Sequence, residues 1–196
     1  MIKWYKKIKS NAAKVLGINE RNLRLVYPLN PRQHFKMAND KVLSKKILQE
    51  HKIPVAKLLM TVDSIGNINT AWDEVPKQDC AIKPANGSGG GGILILDVDD
   101  NGQWTKGERL IEEHLIHQHL ANIIFGIYSF GSDDEVLVEE KIIPHSFTKE
   151  IYPIGVADLR IIMKENEILM GMMRVPTNKS DGKANLHQGA IGIGVD

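Results

Sequence analysis

The chain has 196 residues, of which 42% are apolar, so it is long enough for one large domain or two small lobes and is not a disordered tail. Its 25 basic and 24 acidic residues leave a net charge of +1, which gives no overall positive field for a nucleic-acid partner. The single Cys80 permits no internal disulfide, and no apolar run approaches the ~18 residues of a membrane span. We therefore expect a cytoplasmic protein with no transmembrane segment, in which Cys80 is a small buried strand residue.

The first predicted element is a basic amphipathic helix over residues 3–16. Apolar side chains recur there at roughly helical spacing, with five lysines interleaved. Such a helix could lie on an anionic membrane surface. Packing on the body of the protein with a solvated lysine face is the simpler interpretation.

A second helix, of ~10 residues, is predicted to begin near Lys41. Asn39 and Asp40 are candidate caps, and Pro54 ends the apolar pattern. From residue 55 to residue 98 the pattern becomes short and extended, in the pieces VAKLLMTV, CAIKPA and GILILDV. Turn sequences separate these pieces, so we predict three strands.

A longer helical segment is predicted over residues 108–128. Its apolar face is formed by Leu110, Ile111, Leu115, Leu120, Ile123 and Ile124. His114, His117 and His119 lie within it without carboxylate or thiolate ligands at a metal-binding spacing, so a structural role is expected for them.

The remaining pattern predicts a strand over 135–143, a hairpin of 158–164 with 168–176 across the tight turn ENE, a polar loop and a final strand.

Residues 80–96 read CAIKPANGSGGGGILIL and contain the most informative pattern of the chain. Five of the six residues from Gly87 to Gly92 are glycine, which weakens strands and helices and therefore needs a reason. The G-x-G-x-x-G match is weak, because a dinucleotide-binding fingerprint opens a helix and this one opens a strand. A Walker loop needs Lys-Ser or Lys-Thr after its last glycine, and a protein kinase has its lysine downstream of the glycines. Neither pattern is present.

What remains is strand, glycine loop and strand, with Lys83 pointing inward from the first strand. Glycines let backbone N–H groups approach phosphates, and a lysine supplies a point charge beside them. A floppy hairpin tip with an exposed lysine is the alternative, but it explains poorly why Lys83 interrupts an apolar strand. The pattern indicates a binding site for a nucleoside triphosphate.

This arrangement resembles the ATP-grasp family, and further segments extend the resemblance over nearly the whole chain in the order of the family. Residues 39–58 resemble its opening helix, 81–96 its phosphate-grasping hairpin, 137–142 the strand into the nucleotide hinge, and 158–175 the hairpin of the second lobe. The segments KPANGSGGGGILIL and SDGKANLHQGAIGIGVD are especially similar in sequence to those of RimK-related alpha-L-glutamate ligase homologues, also described as sugar-transfer-associated ATP-grasp proteins.

The resemblance implies an α+β, ATP-grasp fold in which two α+β lobes clasp a nucleotide. It divides the chain into an N-terminal helical segment at 1–35, a first lobe at 36–138 with the glycine-loop hairpin, and a partial second lobe at 139–196. The implied cofactors are ATP and Mg²⁺. The implied partners are small-molecule carboxylate and amine substrates.

Site residues are carried over from the family position by position. Phosphate contacts fall on Lys41 and Lys83, and the loop that closes over the phosphates on Ser88, Gly89, Gly90 and Gly91. Glu139 and Glu140 fall where the family contacts the adenine amino group and the hinge backbone, with Lys141 and Ile142 flanking the base. Arg160 and Arg174 would neutralise the terminal phosphate, and Asn185 and His187 would lie near the transferred phosphoryl group or the acceptor.

The implied chemistry is ligation through an acyl phosphate, with catalysis mainly by positioning and charge stabilisation. The leading expectation is a carboxylate-amine ligase of the alpha-L-glutamate ligase type, acting on a cell-surface sugar or peptide precursor. A small-molecule kinase and an ATP-binding remnant without turnover are the alternatives.

Metal ligands are the point where the sequence departs from the family. The family supplies a glutamate and an asparagine two residues apart on a later strand and turn, and nothing before Asp196 matches them. Glu165, Glu167 and Asp181 have the wrong context, so no metal ligand is assigned, and we expect an unfinished second lobe and poor turnover of ATP. The apolar edge AIGIGVD would then invite association with another chain, including a second copy.

Overall fold

The short apolar runs form two antiparallel sheets in the computed structural model, which describes residues 15–87, 89–153 and 155–195. The first sheet contains β1 (Leu58–Val62), β2 (Cys80–Pro84), β3 (Leu94–Val98), β4 (Trp104–Lys106), β5 (Arg109–Leu110) and β6 (Val136–Glu140). Their order in space is β1-β6-β2-β3-β4-β5. The second sheet contains β7 (Asp158–Lys164), β8 (Glu167–Val175) and β9 (Ile191–Val195), in that order.

Seven α-helical segments occur among the described residues. They are α1 (Ile18–Arg21), α2 (Tyr27–Leu29), α3 (Phe35–Asn39), α4 (Lys41–Glu50), α5 (Ile68–Asp73), α6 (Glu113–Ile124) and α7 (Ser146–Ile151), with a π-helical turn at Asn22–Val26. The start of α4 is as predicted, because the Asp40 carboxylate accepts a hydrogen bond of 2.9 Å from the backbone N–H of Leu43. Most of the helix predicted over 3–16 lies outside the described residues. None of the described helices is long and apolar enough to cross a membrane.

The hydrophobic core lies on one face of the six-stranded sheet, covered by α5 and α6. Ile82 and Val138 pair across β2 and β6 on this face, and the side chains of Leu120 and Ile123 in α6 pack against them. Cys80 is fully buried here, as expected, and burial raises the pKa of its thiol to about 12. The thiol therefore stays protonated and acts as a small apolar group.

Two expectations for local structure were wrong. Residues 109–110 form β5 beside β4, so α6 begins only at Glu113, and Leu110 and Ile111 are not on its apolar face. Leu115 is on the helix but is 48% exposed. Residues 68–73 form α5 within a region expected to be only extended, since Ile68 and Trp72 are one helical turn apart and both reach the core. Tertiary packing decided both segments.

The second sheet is built on the predicted hairpin. Strands β7 and β8 pair from Asp158 opposite Arg174 to Lys164 opposite Glu167 across the turn at 165–166. β9 pairs with β8 and forms an edge of the sheet, with exposed apolar side chains. Helices and antiparallel sheets together make the chain α+β, as expected. The lobe boundaries at residues 35 and 138 stay predictions.

Candidate functional site

The face of the six-stranded sheet opposite the core carries charged side chains. Successive strand residues point to opposite faces, so the partners Ile82 and Val138 face the core while Lys83 and Glu139 face the other way. Lys83 pairs in register with Leu137, two positions along the strands from the pair of Ala81 and Glu139 and on the same face. Lys83, which the sequence predicted to point inward, therefore faces away from the core and lies beside the carboxylate of Glu139.

Glu139 lies between two lysines. Its carboxylate contacts the ammonium of Lys83 and lies 2.9 Å from that of Lys45, and the residue is only 5% exposed. Burial raises its pKa, but the hydrogen bonds and charges of Lys83 and then Lys45 outweigh this and hold the pKa below its usual range. The result is a buried carboxylate that stays ionised between two cations.

Lys45 was missed by the sequence analysis. Its ammonium also donates to the carbonyl of Ala56 at 2.6 Å. The available signal was its spacing from Lys41, since residues i and i+4 share one face of a helix. α4 thus directs two lysines toward the same side of the sheet.

Lys41, expected to contact phosphate, braces the base of the glycine loop. Its ammonium donates to the carbonyls of Pro84 (3.0 Å), Ala85 (3.0 Å) and Gly87 (2.6 Å), which matches the three donors of the group. Burial, together with the nearby charge of Lys83, lowers its pKa. Its contact with phosphate stays a prediction.

Asp134 anchors the same end of the loop and was also missed. Its buried carboxylate accepts from the backbone N–H of Asn86 at 3.0 Å and from the side-chain amide of Asn86 at 2.9 Å. It also accepts from the hydroxyl of Ser129 and from the backbone N–H of Glu135. Nothing in the sequence distinguished Asp134 from its neighbour Asp133.

The other end of the loop is fixed by packing. A Cβ on Gly92 would lie 2.6 Å from the ring of Tyr128, so only glycine fits there. The ring Nε2 of His119 donates to the Gly92 carbonyl at 2.9 Å, and burial lowers the pKa of this histidine, which favours its neutral form. His119 thus has the structural role expected of the helix histidines.

Glu140, Lys141 and Ile142 line a hollow beside the end of β6. Its volume is about 380 Å³, and the other lining residues are Val55, Ala56, Lys57 and Ile143. Burial disfavours the charge of Lys141, but its ion pairs with Asp97 and Asp79 prevail and raise its pKa. The hollow has apolar side chains, a Lys141 ammonium that is paired with two carboxylates, and free space of the size that small ligands occupy.

Arg160 and Arg174 lie on the same face of the second sheet. Arg160 pairs with Met172 and Asp158 with Arg174, which places the two arginines on adjacent strands and one position apart on this face. Arg174 is held by Asp158 through two hydrogen bonds, one of them 2.6 Å, and this carboxylate raises its pKa. Arg160 is exposed.

The glycine loop touches the segment 183–188, which lies before β9. A Cβ on Gly89 would lie 3.4 Å from His187 Nε2, and one on Gly90 would lie 3.6 Å from Asn185 Nδ2. Gly89 and Gly90 have φ of 66° and 79°, a backbone conformation that glycine adopts readily. The structure thus brings together the predicted loop glycines with Asn185 and His187. Ser88 lies outside the described residues, and Gly91 lies in the turn of the loop.

The order of elements and the glycine hairpin can be compared with those of known protein families. A family model described as sugar-transfer associated ATP-grasp matches residues 20–196, and the chain belongs to this family. Membership confirms the ATP-grasp fold and supports a general ATP-dependent, ligase-like function. The family is generally enzymatic and typically uses ATP and Mg²⁺. A search of curated proteins found no match.

The side chains that could act as metal ligands can be compared with the requirements of Mg²⁺, the metal that the family typically uses. Within the described parts of the chain, no three His, Cys, Asp or Glu side chains are grouped so as to hold a metal ion. Magnesium requires near-octahedral oxygen ligands. The described residues do not by themselves form such a site.

Proposed function

We propose that this chain is an ATP-dependent carboxylate-amine ligase of the alpha-L-glutamate ligase type, which activates its carboxylate substrate as an acyl phosphate. A cell-surface sugar or peptide precursor is the proposed acceptor class. One observation supports this most directly. The glycine loop that follows Lys83 lies against the segment that carries Asn185 and His187, so a phosphate held by the loop would also be within reach of the second sheet.

The proposed first step forms an acyl phosphate. A carboxylate oxygen of the substrate attacks the terminal phosphorus of ATP, the bond to the bridging oxygen breaks, and ADP leaves with that electron pair. An amine then attacks the acyl carbon and expels phosphate, giving an amide and releasing the proton of the amine to solvent. The first step gathers negative charge on the equatorial oxygens, which positioned cations and N–H groups can stabilise.

The residues have separate roles in this proposal. Lys83 supplies a positive charge beside the loop, and the glycine amides supply N–H donors. Arg160, which is exposed on its strand, is suited to an anionic group that arrives from solvent, while Arg174 shares its charge with Asp158. The hollow at Glu140 and Ile142 is suited to the adenine ring.

Hydroxylamine trapping tests the reaction. Wild-type protein with ATP, Mg²⁺, L-glutamate and hydroxylamine should form a hydroxamate that depends on ATP, at the low rate expected of this chain, because hydroxylamine intercepts an acyl phosphate. The same assay should be repeated with other carboxylic acids in place of L-glutamate. Lys83→Met should reduce the rate by about 10². Lys46→Met removes an exposed lysine of α4 and should leave it unchanged.

The other outcomes separate the alternatives. A phosphorylated acceptor without hydroxamate would indicate a kinase, and ATP binding without any product would indicate a remnant that only binds. Equal affinity of wild type and Lys83→Met for ATP in a calorimetric titration would contradict the role given to Lys83.

A further inference from the structure

Gln188 joins the two sheets through the glycine loop. Its side-chain Nε2 donates to the carbonyl of Gly89 at 2.7 Å, across 99 positions of sequence. Gln188 ends a short 3-10 turn, Leu186–Gln188, and the left-handed Gly189 follows it with φ of 109°. The contact therefore originates from an ordered turn, and it is the hydrogen bond that ties the segment before β9 to the loop among the described residues.

The direction of the Gly89 carbonyl determines the direction of an N–H group. The carbonyl of Gly89 and the N–H of Gly90 belong to one planar trans peptide unit, so they point in opposite directions. When Gln188 holds the carbonyl toward the second sheet, the Gly90 N–H must point away from Gln188. Glycine peptide units reorient easily, because both signs of φ are accessible to them.

The other half of the Gln188 amide does not hold the contact. Its Oε1 is buried without a hydrogen-bond partner among the described residues and lies 3.8 Å from where a Cβ on Gly90 would be. Exchanging the amide O and N would place two carbonyl oxygens against each other, which fixes the orientation of the group. Donation from Nε2 is therefore the polar interaction on which the position of this side chain depends.

We propose that Gln188 is a positioning residue that holds the Gly89 carbonyl away from the bound phosphates and so presents the Gly90 N–H to them. The inference rests on the proposed function for its phosphate ligand, but the hydrogen bond itself forms without nucleotide. Without Gln188, the peptide unit between Gly89 and Gly90 is free to turn its carbonyl toward the anion, and binding weakens.

Two variants separate hydrogen bonding from packing. Gln188→Glu has the same shape but no donor at neutral pH, and it sets a carboxylate against the carbonyl. Gln188→Met has a similar size and neither donor nor charge. On protonation, near the ordinary glutamate pKa of about 4.3, the carboxyl of Gln188→Glu regains an O–H that can donate to Gly89.

The first measurement uses the full chain without nucleotide. In triple-resonance NMR spectra of ¹³C,¹⁵N-labelled protein, the Gly89 carbonyl carbon and the Gly90 amide should shift in both variants at pH 7.5. In Gln188→Glu alone they should begin to return toward the wild-type positions as the pH falls below about 5.5, and should be about halfway back near pH 4.3. Unchanged resonances in both variants, or the same shifts in both variants at every pH, would overturn the proposal.

The second measurement is the affinity for ATP with Mg²⁺ at pH 7.5. Loss of one hydrogen bond should weaken binding up to about tenfold in Gln188→Met, and the added charge should weaken it further in Gln188→Glu. Wild-type affinity in either variant would overturn the role in phosphate binding. If the NMR shifts occur as expected but wild type does not bind ATP, the proposed function fails while the contact with Gly89 stands.

Discussion

Lys83 and Glu139 form an ion pair across β2 and β6, on the face of the sheet turned away from the hydrophobic core. The pair lies where the strand leads into the glycine loop, and Lys45 joins it from α4. A buried carboxylate between two ammonium groups holds both cations in place and leaves one positive charge in excess. In the proposed function, this arrangement positions positive charge for an anionic ligand before one binds.

Removing the carboxylate should therefore destabilise the protein. Glu139→Ala leaves Lys45, a buried cation, without its partner, and the free energy of unfolding should fall by about 3–5 kcal/mol. Urea unfolding measures this change. Glu140→Ala, which truncates the exposed neighbouring glutamate, should stay within about 0.5 kcal/mol. Similar losses in the two variants would show that the ion pairs contribute little.

Two glycines with the same backbone conformation test the packing at the end of the loop. Gly92 and Gly102 both have φ of 74°, but a Cβ on Gly92 would meet the Tyr128 ring, whereas one on Gly102 would meet nothing within 4 Å. Alanine at either position incurs the same kind of backbone strain. Gly92→Ala should be less stable than Gly102→Ala by about 1–3 kcal/mol in thermal or chemical unfolding, because of overpacking. Equal stability would mean that Tyr128 moves aside freely.

The anchoring role of Asp134 predicts a local effect as well as a global one. Asp134→Asn weakens the charge-assisted hydrogen bonds to Asn86 and Ser129, and should cost about 1.5–3 kcal/mol of stability. Hydrogen exchange of the Asn86 amide should quicken more than that of amides in α6. The exposed neighbour Asp133 supplies the control, since Asp133→Asn removes the same charge but should change neither quantity appreciably.

Acid should destabilise the fold through His119. Burial lowers its pKa in the folded state from the ordinary 6.5, so as pH falls below about 6.5 the unfolded chain takes up a proton that the folded chain does not. This contribution to stability is complete above pH 6.5 and is lost toward the lowered pKa, at up to about 1.4 kcal/mol per pH unit. The positive charge of Lys106 adds to the lowering of this pKa.

A matched pair of variants checks this pH dependence. His119→Gln keeps a donor for the Gly92 carbonyl but cannot titrate, so its stability should fall less between pH 7 and pH 5 than that of wild type. His114 is exposed, and His114→Gln should retain the wild-type slope. An unchanged slope in His119→Gln would assign the acid sensitivity to other groups.

Much of the fold followed from local patterns. The start of α4, the strands around Lys83 and the hairpin of β7 with β8 were predicted from capping, alternation and turn residues, which act over a few positions. The family was recognised because several such patterns occur in a fixed order, and the family match confirms it. The start of α6 and the existence of α5 were decided by strand pairing and core packing, which local patterns do not encode.

The features of the candidate site also divide into those that the sequence predicts and those that only the tertiary structure brings together. The sequence by itself determined that a lysine and a glycine loop share a hairpin, because strand periodicity and glycine content are properties of neighbouring residues. Only the tertiary structure decided that Lys45 flanks Glu139, that Asp134 holds Asn86, and that Gln188 reaches Gly89. These partners are 48 to 99 positions apart in all three cases, so their contact depends on how the sheets assemble. No single stretch of sequence contains that information.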